Sequence, residues 1–282
     1  MQAHQYLAIL CALALLSLGL CPSGLAQKTG KLYVLGMGPD GADLTAPRAM
    51  RILQKADTVL CHPRTKTLFQ EYIPEDTYAF NPWEGIHGGN ATQLREKDHQ
   101  QWLNRVQKRQ KEVKTFVLKR INNGETVVIL DTGDPCVYGP ALYWILREFP
   151  REHLEVIPGM SAFNAASAAL KQPMIGDQGF VVLTSPHTLF AQKSEKSANL
   201  LEDLSDHNPT LVLYMALETM DRLVTEMKHY YPSDLPAAVV YYAGHPDKEK
   251  VVRGTLQNIN EKIKKYSEEW LGLVIIGQCL AS

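Results

Sequence analysis

Several features are scarce in this sequence, and each scarcity excludes something. The chain of 282 residues has five cysteines, none of them in a CxxC pair or at a His/Cys spacing that zinc uses. Cys11 and Cys21 fall in an apolar leader, which leaves Cys61, Cys136 and Cys279. That odd number excludes a disulfide framework; buried free thiols are the favoured reading, with one Cys61 to Cys136 bridge as the other. No block of like charge occurs either: 29 basic residues balance 30 acidic ones for a net charge of −1. The electrostatic footprint of a nucleic-acid binder is therefore missing, and a small, neutral or acidic partner is favoured. There is no repeat and no low-complexity tract, so solenoid and disordered architectures are excluded.

Long apolar runs are scarce as well. The stretch "YLAILCALALLSLGL", from Tyr6 to Leu20, spans 15 residues, short of the roughly 20 that a spanning helix needs. Followed by the small residues of "CPSGLAQ", it reads as a secretory signal peptide over residues 1–26, cut after Ala26. Export to the periplasm is expected, a cytoplasmic location if the leader is not processed, and no stable membrane span in the mature chain. A lipid anchor on Cys21 is disfavoured because Leu20 before it is not small.

What is present is a regular alternation. With 45% hydrophobic and 21% charged residues, the chain suits one large unit or two domains of roughly 100 to 150 residues. "KLYVLGMG", "DTVLCH", "ETVVILD" and "LEVIPG" read as strands. Between them lie the helical stretches "APRAMRILQKA", "HQQWLNRVQKRQKEVKTFVLKRINNG" and "ALYWILREF". That pattern predicts an α/β unit with a mostly parallel sheet over residues 30–160. A helix in "SAFNAASAALKQ" opens a second series, "FVVLTS", "PTLVLYM", "PAAVVYYA", "KVVRGT" and "LGLVIIGQCLA". Its uneven spacing predicts a second α/β domain with a mixed sheet over 161–282.

Three tight loops fall at strand C-termini: "GMGPDG", "DTGDPCVYG" and "IPGMSA". In an open α/β sheet the ligand crevice lies outside those ends. "GMGPDG" also matches GxGxxG, the fingerprint of a dinucleotide enzyme. The surroundings disagree with that match, because Asp57 starts the second strand where the fingerprint needs an acid at the far end. Pro39 and "ADLTAP" further delay the helix that would meet a pyrophosphate. A structural turn explains any one loop, whereas three together point to a pocket in which glycine permits close backbone approach and proline stiffens the wall.

Other candidates read as structural. His62, His87 and His99 follow no ligand spacing, so no metal is expected. Ser161 and Ser185 lack the GxSxG setting of a nucleophile. Arg64, Lys66, Arg95 and Lys97 read as solvated faces, although a ligand carboxylate is the alternative for them. Trp83, Trp102 and Trp144 read as core or lid, and "NAT" at Asn90 is uninformative.

"KLYVLGMGPDGADLTAPRAMRILQKADTVL", "TVVILDTGDPCVYG", "EVIPGMSAFNAASAA", "LVLYM" and "AAVVYYAGHPDKEKVVRGTLQNI" together resemble the tetrapyrrole (corrin/porphyrin) methylases, in order and across nearly all of residues 31–282. "TGDPCVYG" with "HPDKEKVVRGT" is most similar to the precorrin-4 methyltransferase branch. The resemblance implies two α/β domains, a homodimer, and S-adenosylmethionine in the cleft between the domains. It further implies cofactor contacts at Pro39, Thr132, Gly133, Asp134, Val137, Ser161, Ala162, Met215 and Ala243, with a tetrapyrrole as methyl acceptor. His62, near where relatives carry an acid, is the candidate base should a ring proton have to leave. A fold does not set the substrate. An exported corrinoid or nucleoside binding protein without catalysis, and a methyltransferase with a non-tetrapyrrole acceptor, therefore stay open.

Overall fold

The computed structural model describes residues 30–86, 96–175, 179–190, 200–266 and 271–281. The leader at residues 1–26 lies outside the described residues, as do His87, Asn90 and Arg95. No described helix is long and apolar enough to cross a membrane.

The first sheet holds β1 (Lys31–Gly36), β2 (Thr58–Leu60), β3 (Tyr78–Phe80), β4 (Thr126–Asp131) and β5 (Leu154–Ile157) in the order β3-β2-β4-β1-β5. Every pairing in it is parallel. Parallel sheets bury both faces, and alternate strand residues do so here. Leu32, Val34, Val127 and Ile129 face the long helix α3 (Glu96–Asn122) through Val113, Val117 and Ile121. Leu35, Val128 and Leu130 pack instead on Leu53 of α1 (Pro47–Leu53) and on Phe69. Lys119 and Arg120 occupy the last turn of α3, where positive charge suits the helix dipole.

The second sheet is β6 (Val181–Thr184), β7 (Thr210–Leu213), β8 (Pro236–Tyr241), β9 (Lys250–Thr255) and β10 (Gly272–Ile276), ordered β6-β7-β10-β8-β9. Only β6 and β7 run parallel, so this sheet is mixed. The alanine-rich helix α5 (Ala162–Leu170) covers one face, with Ala165, Ala166 and Leu170 on Val212, Ala238, Val240 and Ile275. α8 (Met220–Met227) covers the other through Leu223, Val224 and Met227. The chain leaves the first sheet at Ile157 and enters α5 at Ala162.

Some local expectations need correction. "DTVLCH" is a strand only through Leu60, because Pro63 pre-sets a helical first turn and draws the chain out of the sheet. His62 is consequently not a strand tip but the N-cap of α2 (Pro63–Leu68). β3 was not among the expected strands; it pairs with β2 only at Tyr78 and Phe80, across a register shift. The cysteines Cys61, Cys136 and Cys279 are all free; Cys61 is buried but Cys136 is exposed. Burial pushes the Cys61 thiol up to about 12, so it is an inert core group.

Candidate functional site

The strand order decides where the three glycine loops go. β4, β1 and β5 are neighbours and all end on the same edge, so the loops after Asp131, Gly36 and Ile157 sit side by side. They touch through backbone. Gly38 N–H donates to Gly133 O at 3.2 Å, and Gly133 N–H donates to Gly38 O at 2.7 Å. A Cβ on Gly36 would lie 2.4 Å from Gly159 N, and one on Gly159 would lie 2.3 Å from Gly133 O. Side chains at those two positions would force the loops apart.

Each loop is also tied internally. Thr45 Oγ1 donates to Met37 O at 2.6 Å, which folds the first loop back on its strand. In the second, Asp134 Oδ1 accepts Cys136 N–H at 2.8 Å while its carbonyl accepts the N–H groups of Val137 and Tyr138. In the third, Ser161 N-caps α5, accepting Asn164 N–H and donating to Asn164 Oδ1 at 2.7 Å.

The second sheet closes the space from the opposite side. The turns after β7 and β8 carry Met215 and Tyr242 with positive φ, 54° and 47°. Left-handed backbone is uncommon for such residues. With the three loops these turns enclose, including an open mouth, about 750 Å³. Pro39, Asp40, Arg64, Thr132, Gly133, Asp134 and Tyr138 line it from the first sheet. Tyr214, Met215, Val240, Tyr242, Ala243 and Leu271 to Leu273 line it from the second, and Ser161 and Ala162 join the two. The Tyr138 and Tyr214 rings bridge the sheets, stacked at 4.7 Å between centroids and 6° between planes.

Of the residues expected at a cofactor, Pro39, Thr132, Gly133, Asp134, Ser161, Ala162, Met215 and Ala243 are on this wall. Val137 is not; its side chain is exposed. His62 is not on it either, because its Nδ1 accepts Arg64 N–H at 3.2 Å and caps α2. Among the described residues no group of three His, Cys, Asp or Glu could hold a metal ion.

Several wall residues were not among the expected cofactor contacts, including Asp40, Tyr214, Tyr242 and Arg64, for which a ligand carboxylate was only the alternative to a solvated face. Asp40 is buried, with its Oδ2 3.0 Å from the Arg64 guanidinium and 3.9 Å from His245 Nε2. Its Oδ1 has no hydrogen-bond partner. In the sequence its only mark is an acid inside the glycine-rich "GMGPDG". Tyr214 and Tyr242 gave no signal, since each extends an apolar strand. Next to the wall, Asp131 is pushed up to about 6, first by burial; Asp134 adds to the rise and the Thr132 N–H opposes it.

The wall is apolar with a few polar points, the usual build of a small-molecule site. Gly133 has nothing within 4 Å of where a Cβ would stand, so a ligand can approach its backbone closely. This lining suits a small organic ligand with a polar end.

Comparison with known proteins shows the family. The model of the Tetrapyrrole (Corrin/Porphyrin) Methylases matches residues 31–260. A cobalt-precorrin-4 C(11)-methyltransferase of Methanocaldococcus jannaschii is 29% identical over 89% of this chain and 88% of its own length. A precorrin-4 C(11)-methyltransferase of Rhodococcus erythropolis is 28% identical, over 89% and 92%. Among solved structures, a cobalt precorrin-4 methyltransferase superposes with a TM-score of 0.67 at 24% identity, covering 93% of this chain and 99% of the other. A uroporphyrin-III C-methyltransferase from Thermus thermophilus, complexed with S-adenosylhomocysteine, superposes with a TM-score of 0.60 at 21% identity, over 89% and 99%.

Proposed function

Because the chain belongs to the tetrapyrrole (corrin/porphyrin) methylases, S-adenosylmethionine-dependent methyltransferases, we propose that it methylates a precorrin-like tetrapyrrole at the cavity between its two sheets. One observation carries the reading. The loops after β1, β4 and β5 and the turns after β7 and β8 converge on one apolar cavity.

Pro39, Thr132, Gly133, Asp134, Ser161, Ala162, Met215 and Ala243 would hold the cofactor. When bound, S-adenosylmethionine supplies a methyl group on a positively charged sulfur. The protein's part is mainly geometric. The fused glycine loops and the second-sheet turns would orient a bound donor toward the acceptor, as the roughly 3 to 3.5 Å aligned approach of methyl transfer requires. The apolar wall keeps water from the reacting centre, which suits a step in which charge is lost. Asp134 presents a carboxylate at the rim while its Oδ1 keeps the loop folded around Cys136 N–H. His62, as a helix cap off the wall, is left without a proton-transfer role in this reading.

Calorimetry with S-adenosylhomocysteine on protein starting at residue 27 tests the site. We expect binding, and an Asp134→Ala protein weakened about tenfold to hundredfold, the scale of a charge-assisted hydrogen bond. Absence of binding by the unmutated protein would sink the reading, and binding without turnover of any tetrapyrrole would leave a binding protein. Export of the mature chain and a homodimeric state complete the proposal. The leader motivates the first and the family resemblance the second; fractionation with N-terminal sequencing, and light scattering, decide them.

A further inference from the structure

Among the described residues that line the cavity, Arg64 is the one cation, and the proposed methyl transfer gives it no part. Its placement is built rather than incidental. The guanidinium donates from Nη2 to Oδ2 of Asp40 at 3.0 Å, and the Asp40 side chain is only 2% exposed while that of Arg64 is 36% exposed. A carboxylate that deeply buried is costly unless paired, so Asp40 holds the guanidinium in one place. The Tyr242 ring fixes it from another side at 5.7 Å. Lys248 lies 5.9 Å from the same ring and adds positive potential. The Nη1 and Nε donors of Arg64 have no hydrogen-bond partner among the described residues.

With one Nη2 hydrogen on Asp40, the second Nη2 N–H and its Nη1 or Nε neighbour form the remaining fork of an anchored guanidinium, which matches the planar two-point geometry of a carboxylate. We propose that Arg64 is the carboxylate-binding group of this cavity. The proposal rests on the methyltransferase reading and names one chemistry with two sources. One is the amino-acid carboxylate of the cofactor; the other is an acidic side chain of the acceptor.

Three probes separate the sources: S-adenosylhomocysteine, 5′-methylthioadenosine, which keeps the nucleoside but lacks the amino-acid end, and uroporphyrin III. Each is titrated against unmutated protein, Arg64→Gln and Arg64→Lys by calorimetry or fluorescence quenching. Arg64→Gln is expected to weaken one carboxylate-bearing probe about tenfold to hundredfold while leaving 5′-methylthioadenosine unchanged. Arg64→Lys, which keeps the charge but not the fork, should fall between. A loss confined to S-adenosylhomocysteine assigns the carboxylate to the cofactor, and one confined to uroporphyrin assigns it to the acceptor. Equal loss of every probe, or loss of none, overturns the proposal. Should Arg64→Gln not fold, the same contrast is read on unmutated protein by raising salt from ~0.05 to ~0.5 M. Carboxylate probes should then weaken and 5′-methylthioadenosine should not; a uniform response overturns the proposal. Unmutated protein that binds neither S-adenosylhomocysteine nor 5′-methylthioadenosine defeats the methyltransferase reading itself, a result no Arg64 variant can produce.

Discussion

The two walls of the cavity are made in opposite ways. On the first-sheet side the wall is built on fused backbone: three loops touch at distances that leave no room for a side chain at Gly36 or Gly159, and Arg64 and Tyr138 stand on that base. On the second-sheet side the wall is side chains, Tyr214, Met215, Val240, Tyr242 and Leu273, two of them on left-handed backbone. One surface is shaped by what the sequence leaves out and the other by what it puts in. The first should therefore be intolerant of substitution in its fold, and the second chiefly in its binding.

Gly159→Val tests that contrast most severely. The new side chain would start 2.3 Å from Gly133 O and 2.6 Å from Gly36 C, both backbone. We expect a loss above ~3 kcal/mol, or no soluble protein, by thermal denaturation; a stable variant would mean that the loops are not locked together.

Asp131→Asn comes second. The folded-state pKa of Asp131 is raised from 3.8 to about 6, so the native state binds that proton more tightly than the unfolded chain does. The associated stability is present below pH 4 and is lost as pH rises to about 6. The variant should thus gain on the unmutated protein as pH goes from 4 to 7, by ~1 to 2 kcal/mol once partial exposure discounts the full shift. Parallel stability curves for the two proteins across that range would refute it.

Met215→Gly probes the other wall. Relieving left-handed strain offsets the added freedom of the unfolded chain, so stability should hold or rise by up to ~1 kcal/mol. Affinity for S-adenosylhomocysteine should fall with the lost contact. A stability loss without an affinity loss would reverse the contrast.

His62→Ala is expected to be smallest. Removing the cap should cost ~1 kcal/mol or less and leave methyl transfer unchanged. A slowed rate with normal cofactor affinity would restore His62 as the base.

The two walls also differed in how well they could be read beforehand. Gly36, Gly133 and Pro39 stand in short punctuated motifs at the ends of alternating runs, so both their turn and their place on a sheet edge follow from local pattern. Asp134 and Ser161 could be read for the same reason. Tyr214 and Tyr242 could not, since in the sequence each is one more apolar residue after a strand. Arg64 read first as a solvated face, with a ligand carboxylate as the alternative, and its pairing with the buried Asp40 is what sets it on the wall. His62 was misplaced because the pairing of β2 stops at Leu60 and Pro63 starts a helix, a competition between sheet and helix that spacing does not settle.

The sequence by itself determined the alternation of strands and helices, the two series of elements, the three stiff loops and the family those loops resemble. These depend on residues close together in the chain, where periodicity, glycine and proline act directly. Tertiary structure decided that β4 lies between β2 and β1, which brings the loops into backbone contact, and that β7 and β8 supply the facing wall. It also decided that Asp40 is buried against Arg64 and that Val137 and His62 are off the wall. Those outcomes depend on contacts between residues far apart in the chain, whose positions are fixed only when both sheets have packed.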